Sequence, residues 1–289
     1  MEMRECPQNI ADIWQKLAKS QGGRIVYLIL DGLGGLTDYQ RGGTELQVAN
    51  TPNLDKLAGE SSCGLLETVG PGVTPGSGPG HLALFGYDPL QYMIGRGILS
   101  ALGIDFELEE GDIAARVNFA TLDEEGIVTD RRAGRIATEK NESLAKRIRE
   151  EVTLEFEGEY FFKTVSEHRA VLILRGMELS GEIEDTDPQH TGIPAREPMP
   201  RVTAAKKTAQ LIRQFLGQVG EVLKDEPQAN GILLRGFDQY QSFPTLQERF
   251  ALRGICLADY PMYRGLSRLL GLVVSPPPGG LRQRVDCLR

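Results

Sequence analysis

Histidine is scarce in this 289-residue chain: His81, His168 and His190 are the whole complement, and none follows residue 190. A site built from several imidazoles therefore cannot lie in the last third. Cysteine is almost as sparse. Cys6, Cys63, Cys256 and Cys287 are scattered, without the paired spacing of a zinc site, a disulfide framework or a redox dithiol, and they read as free thiols in a reducing compartment. No apolar run approaches the length of a membrane span, and the first residues, with Glu2, Arg4 and Glu5, have no signal-peptide core. Positive charge is in deficit, with a net charge of -8, so an extended nucleic-acid surface is not expected, although a local basic pocket remains compatible. Repeats and low-complexity tracts are absent too. Length and composition describe an enzyme-sized cytoplasmic chain of one large or two modest domains.

Against that background two segments stand out. Arg24 to Leu30 is an aliphatic run of the kind that forms a strand buried on both faces, and Asp31 ends it just before Gly32, Leu33, Gly34 and Gly35. Open α/β sheets bind ligands outside the carboxyl ends of their strands, so Asp31 reads either as a ligand for a divalent metal or as a cap for the next element. The second segment, Pro71 to Pro89, places Ser77 among Gly72, Gly76, Gly78 and Gly80 ahead of His81-Leu82-Ala83-Leu84. Glycines let backbone N–H groups approach an anion, and a helix start adds a favourable dipole, so Ser77 could be a nucleophile in an anion cradle. An ordinary Gly/Pro surface loop is the other reading. Neither a P-loop lysine nor the dinucleotide glycine spacing is present.

A third cluster is basic. Arg131, Arg132 and Arg135 lie close together, and guanidinium forks suit phosphate or carboxylate; a solvated hairpin is the alternative. His168, Arg169 and Arg235 are weaker candidates for the same anion site. Asp185, Asp187 and His190 can join it, although Asp-Thr-Asp-Pro is also a good turn sequence.

The patterning is α/β. It predicts helices over 11–17, 51–59, 143–152 and 203–223, with Pro52 at a first helical position. Strands are predicted over 24–30, 64–69, 116–122, 126–129, 161–165, 169–174, 232–234, 255–257 and 272–274. A core domain interrupted by an α+β insert fits this order.

Taken together, Ile29 to Gly35, Ala49 to Asp55 and Pro75 to Pro89 resemble the archaeal-type cofactor-independent phosphoglycerate mutases, members of the alkaline phosphatase superfamily. The likeness continues through Arg116 to Thr121, Asp130 to Ile136, Glu167 to Val171, Asp185 to Pro188 and Tyr260 to Gly265. It implies an alkaline-phosphatase-like core sheet with helices on both faces, formed by 1–111 and 228–289, and an inserted substrate-binding domain over 112–227. It also implies interconversion of 3- and 2-phosphoglycerate through a phosphoserine at Ser77. Asp31 and Ser77 would be metal ligands, while Arg131, Arg132, Arg135, His168, Arg169, Asp187 and Arg235 would hold substrate. The cofactors implied are two divalent ions (Mn²⁺, Mg²⁺, Co²⁺ or Zn²⁺), without 2,3-bisphosphoglycerate; the partner is a small phosphoglycerate, with no nucleic acid or membrane and with a homo-oligomer left open. Family segments resembling Thr-Asp-x-x-Gly-His-Asp-Gly and Gly-Asp-His have no counterpart here, so the core is expected to be incomplete at its C-terminal end. A truncated phosphosugar-binding protein, or another metal-dependent phosphomutase such as a phosphopentomutase, is the alternative expectation.

Overall fold

The computed structural model describes residues 10–19 and 22–275. Its centre is a five-stranded antiparallel sheet. Strand β1 (Ile113–Leu122) pairs with β2 (Val128–Asp130), with β4 (Arg169–Gly176) and with β5 (Gly231–Gln239); β3 (Gly158–Ser166) closes the far edge beside β4. The long middle strand is the mostly apolar sequence Ile-Ala-Ala-Arg-Val-Asn-Phe-Ala-Thr-Leu, buried along most of its length, as expected for a strand flanked on both sides and covered on both faces. Val117 stands opposite Ala170 on one neighbour and Leu234 on the other, which fixes the register of all three strands.

One face of the sheet is covered by two helices, α6 (Thr138–Glu151) and α7 (Lys206–Leu223). Leu144, Ala145 and Ile148 of the first and Ile212, Phe215 and Val219 of the second bury against Val117, Phe119 and Leu172. These i, i+3, i+4 spacings are the apolar stripe of an amphipathic helix. The opposite face carries α5 (Arg96–Gly103) and α9 (Pro261–Leu269), where Ile98, Leu99, Leu266 and Leu269 meet Ala114, Val171 and Ile173. Gly97 and Gly265 make that contact close. A Cβ at Gly97 would stand 2.2 Å from the Ala114 carbonyl oxygen, and one at Gly265 2.1 Å from that of Leu99. The remaining helices are α1 (Ile10–Leu17), α2 (Glu45–Val48), α3 (Pro52–Gly59), α4 (Ser77–Leu84) and α8 (Leu246–Phe250). The two-residue strands β6 (Ile255–Cys256) and β7 (Val273–Val274) pair in parallel.

The architecture is therefore mixed α/β with an antiparallel main sheet. Two expected strands do not form. Residues 24–30 and 64–69 have no ladder partner among the described residues, and their side chains face solvent, with Val26 at 72%, Leu28 at 74% and Leu65 at 105% exposure. The physical reason is pairing: a strand meant for burial on both faces is only an extended segment until neighbouring strands take its N–H and C=O groups. The stretch 232–234 does form a strand, but it pairs with β1 in the sheet of the expected insert. Among the described residues no helix is long and apolar enough to cross a membrane. Cys63 and Cys256 are free thiols, whereas Cys6 and Cys287 lie outside the described residues.

Candidate anion pocket and cradled serine

The basic residues converge. Arg116 and Asn118 project from β1, Arg235 from β5, and Arg131, Arg132 and Arg135 from the segment after β2; His168 and Arg169 come from the β3–β4 turn. Together they line a polar cavity of about 150 Å³. Local backbone devices hold the contributors. The Asp130 carboxylate accepts the N–H groups of Arg132 and Gly134 at 2.8 and 2.7 Å, pinning a loop in which Ala133, Gly134 and Arg135 all have left-handed φ (47°, 59° and 54°). Ala133 and Arg135, which carry a Cβ in that region on either side of Gly134, represent stored strain. The β3–β4 turn is tied down by buried Asn141, whose amide donates to the carbonyls of Glu167 (2.6 Å) and Arg169 (2.9 Å).

Two carboxylates partly neutralise six guanidiniums. Arg131 makes a bidentate pair with Asp187, Nε to Oδ1 at 2.8 Å and Nη2 to Oδ2 at 2.7 Å, and Arg235 Nη1 lies 3.4 Å from the same Oδ2. Asp187 is fully buried. Burial raises its pKa, but the hydrogen bonds from Arg131 and the Gln189 N–H outweigh that and hold it below the ordinary carboxylate value. Glu167 sits 3.4 Å from Arg169 and 3.9 Å from Arg135. The surplus of positive charge is felt throughout. Burial first, then Arg235, Arg169 and Arg96, bring Arg116 down to about 10. His168 is pushed down to about 4 by burial, then by Arg169, Arg116, Arg135 and Arg132, so its ring is neutral at pH 7. Most telling are the unpaired atoms: among the described residues Arg116 Nε, Asn118 Oδ1, His168 Nδ1, Arg169 Nε and Arg235 Nε are buried without a hydrogen-bond partner, and these five belong to one cavity. Buried polar groups are ordinarily satisfied, so the three orphaned guanidinium N–H donors, of Arg116, Arg169 and Arg235, mark a place for an oxyanion.

The second feature joins α4 and α9 to Asp31. Ser77 opens α4, and its hydroxyl donates to Asp31 Oδ2 at 2.9 Å. The Tyr263 hydroxyl, from α9, donates to the same oxygen. That bond first, with Ser77, His81 and the Gly32 N–H adding to it against partial burial, lowers the Asp31 pKa from the ordinary carboxylate value. Tyr263 is pushed up to about 12, by burial first and by Asp31 second. The His81 ring stacks on Tyr263 with centroids 4.8 Å apart, and its Nδ1 lies 2.7 Å from the Ser77 carbonyl oxygen. Because a carbonyl only accepts, this nitrogen carries the proton. Asp31 and Ser77 are thus joined although 46 residues separate them.

Of the residues singled out from the sequence, the arginines, His168 and Arg235 are brought together in the cavity, Asp187 is paired beneath them, and Asp31 meets Ser77. Sequence reasoning passed over Arg116, Asn118, Arg96 and Tyr263 as site residues. Arg116 interrupts an otherwise apolar strand, which was the available signal. As a metal site the donors present do not suffice: among the described residues no group of three or more His, Cys, Asp and Glu converges, and one carboxylate with one hydroxyl does not fill a divalent ion's shell.

These features define an α/β protein with a carboxylate-bound serine and an arginine-rich anion pocket. Residues 58–229 match the family profile described as 2,3-bisphosphoglycerate-independent phosphoglycerate mutase. A Thermus thermophilus protein named "Probable 2,3-bisphosphoglycerate-independent phosphoglycerate mutase" is 49% identical over 267 residues, covering 92% of this chain and 66% of its own length. A Deinococcus radiodurans protein of the same name is 45% identical over 290 residues, covering 97% of this chain and 70% of its own. Among solved structures, the cofactor-independent phosphoglycerate mutase of Thermoplasma acidophilum superposes with a TM-score of 0.58 at 33% identity, over 90% of this chain and 72% of that one. A Pyrococcus horikoshii protein gives 0.66 at 29% identity, over 87% and 61%. The chain belongs to the 2,3-bisphosphoglycerate-independent phosphoglycerate mutase family. It spans 66% of the length of the Thermus relative.

Proposed function

We propose that this chain binds a phosphoglycerate and serves the interconversion of 3- and 2-phosphoglycerate in cytoplasmic glycolysis and gluconeogenesis, with Ser77 as the phosphoryl acceptor. The carrying observation is the cavity in which the buried Nε–H donors of Arg116, Arg169 and Arg235 have no partner among the described residues. A small molecule with one carboxylate and one phosphate, about three negative charges at pH 7, is the ligand that such a cluster lacks.

In this reading Ser77 Oγ forms a bond to phosphorus as the bond from phosphorus to the 3-oxygen of the substrate breaks. The hydroxyl proton that Ser77 gives up is the one the freed 3-oxygen takes up, and glycerate stays held by the guanidiniums. Its 2-hydroxyl then attacks the phosphoserine, and the proton it loses returns to Ser77 Oγ as the bond from that oxygen to phosphorus breaks. Asp31 acts here by orientation. Held ionised by Tyr263, it accepts the Ser77 O–H and points the oxygen lone pairs away from itself. Arg131 is fixed by Asp187, and neutral His168 offers a hydrogen bond without adding charge. The divalent ions that the family resemblance implies would find two oxygen donors in Asp31 and Ser77 and would supply charge neutralisation and nucleophile activation when bound. Two donors do not hold them. An alkaline-phosphatase-like core for 1–111 and 228–289, with 112–227 as the substrate-binding insert, is part of the same proposal.

The test is to incubate the protein with 3-phosphoglycerate labelled on phosphorus and Mn²⁺ and to map the labelled peptide. Modification of Ser77, lost in Ser77→Ala, is expected. Label at Thr74, or label that survives Ser77→Ala, contradicts the assignment. A second reading, a phosphoglycerate-binding protein without turnover, is favoured by the lack of a three-donor metal cluster among the described residues; tight binding with no label would support it.

A further inference from the structure

We propose that Arg96 is a substrate-positioning residue that grips the phosphoryl group between Ser77 and the arginine pocket; this rests on the phosphoglycerate reading and extends it to a residue outside the pocket. The backbone of Arg96 is seated from two sides. Its preceding N–H, that of Gly95, donates to Asp238 Oδ2 at 2.6 Å. On the other side Gly236, at φ 62° and with its own N–H on Asp185 Oδ1 at 2.7 Å, lies so close that a Cβ there would stand 2.8 Å from Arg96 Cβ. Gly97, pressed on Ala114, completes the clamp. Only glycines permit these approaches, so the start of the Arg96 side chain is fixed by β1 and β5, the strands that carry Arg116 and Arg235.

From that anchor the guanidinium reaches toward the serine. A Cβ on Gly76, the residue just before Ser77, would lie 4.0 Å from Arg96 Nη2. Arg96 also shares with Arg116 and Arg169 the walls of a smaller cavity closed by Tyr260, Pro261 and Met262, just before Tyr263. One guanidinium thus borders the residue that precedes the serine and, in the smaller cavity, two arginines that also wall the larger pocket.

Structural duty does not explain the placement. Arg96 is the first residue of α5, where the helix dipole disfavours a cation, and no acidic residue accompanies it in that turn. Among the described residues it has no carboxylate partner, and its charge adds to the burden on Arg116 and Arg235. A planar fork poised over a dianionic phosphate converts that repulsion into attraction, and it would serve the group at either oxygen of glycerate.

The test is calorimetric titration of the full chain with 3-phosphoglycerate and, separately, with glycerate, which keeps the carboxylate but has no phosphate. Arg96→Met is expected to weaken 3-phosphoglycerate at least tenfold while changing glycerate less than twofold, and Arg96→Lys to fall between. Equal loss for both ligands, or no loss for either, overturns the role. If Arg96→Met does not fold by circular dichroism, Arg96→Lys decides: less than a twofold preference for losing the phosphorylated ligand overturns it. Failure of the unmodified chain to bind 3-phosphoglycerate would remove the underlying reading as well, whereas binding that is indifferent to Arg96 removes this inference alone.

Discussion

Two apolar segments of similar composition meet opposite fates. Strand β1 carries Val117 and Phe119 at 0% exposure, while Val26 and Leu28 in the stretch 24–30 stand more than two thirds exposed. Both are strings of aliphatic residues of strand length. The first lies between β4 and β5 and under α5, α6 and α7; the second has no ladder partner among the described residues. Hydrophobicity specifies what a strand wants to bury, but the neighbours that accept its backbone groups decide whether it becomes a strand. The functional consequence follows the same division. The arginine cavity hangs on the paired region and is rigidly framed, whereas Asp31 ends the unpaired stretch and is located by side-chain contacts to Ser77 and Tyr263.

Substitutions sharpen that contrast. The largest effect is expected in the paired region: Phe119→Ala, which strips an edge-to-face partner from Phe162 in the core, should cost about 3–5 kcal/mol in denaturant unfolding. Next comes His168. Its folded pKa lies near 4 against an unfolded value of 6.5, so between those limits the unfolded chain binds the proton and the folded chain does not. Stability should therefore fall as pH drops from 6.5 toward 4, by at most about 3 kcal/mol, and His168→Gln should flatten that limb of a stability–pH curve. The smallest effect belongs to the unpaired stretch: Leu28→Ala should change stability by no more than about 0.5 kcal/mol. A cost comparable to that of Phe119→Ala would mean that the segment is buried against something in solution, and the contrast would dissolve.

What could be read from sequence tracks the same physics. Most elements from Ile113 to Leu223 were legible because their periodicity is local: two helical stripes, a long apolar strand and a Gly-containing turn at Gly126. Asp31, Ser77 and the Arg131–Arg135 group were legible as chemistry, since a carboxylate after an apolar run and a hydroxyl among glycines are unusual enough to notice. The rest depends on contacts that no window shows. Tyr263 reaches Asp31 across 232 residues, and Arg131 finds Asp187 across 56. Arg96 stands between two glycines whose purpose, close approach to β1 and β5, is visible only in the fold. Helix α9 had a signal in Pro261 at its first position that the apolar pattern around it obscured.

Whether a phosphoglycerate satisfies the orphaned donors of the arginine cavity is directly measurable. Calorimetric titration of 3-phosphoglycerate into the chain, and into Arg132→Lys and Arg135→Lys, measures it. One site per chain is expected, with each substitution costing about 1–3 kcal/mol of binding because lysine keeps the charge but loses the fork. A chain that gives no binding heat, or variants whose dissociation constants match the unmodified protein, would return these arginines to the role of a solvated basic loop.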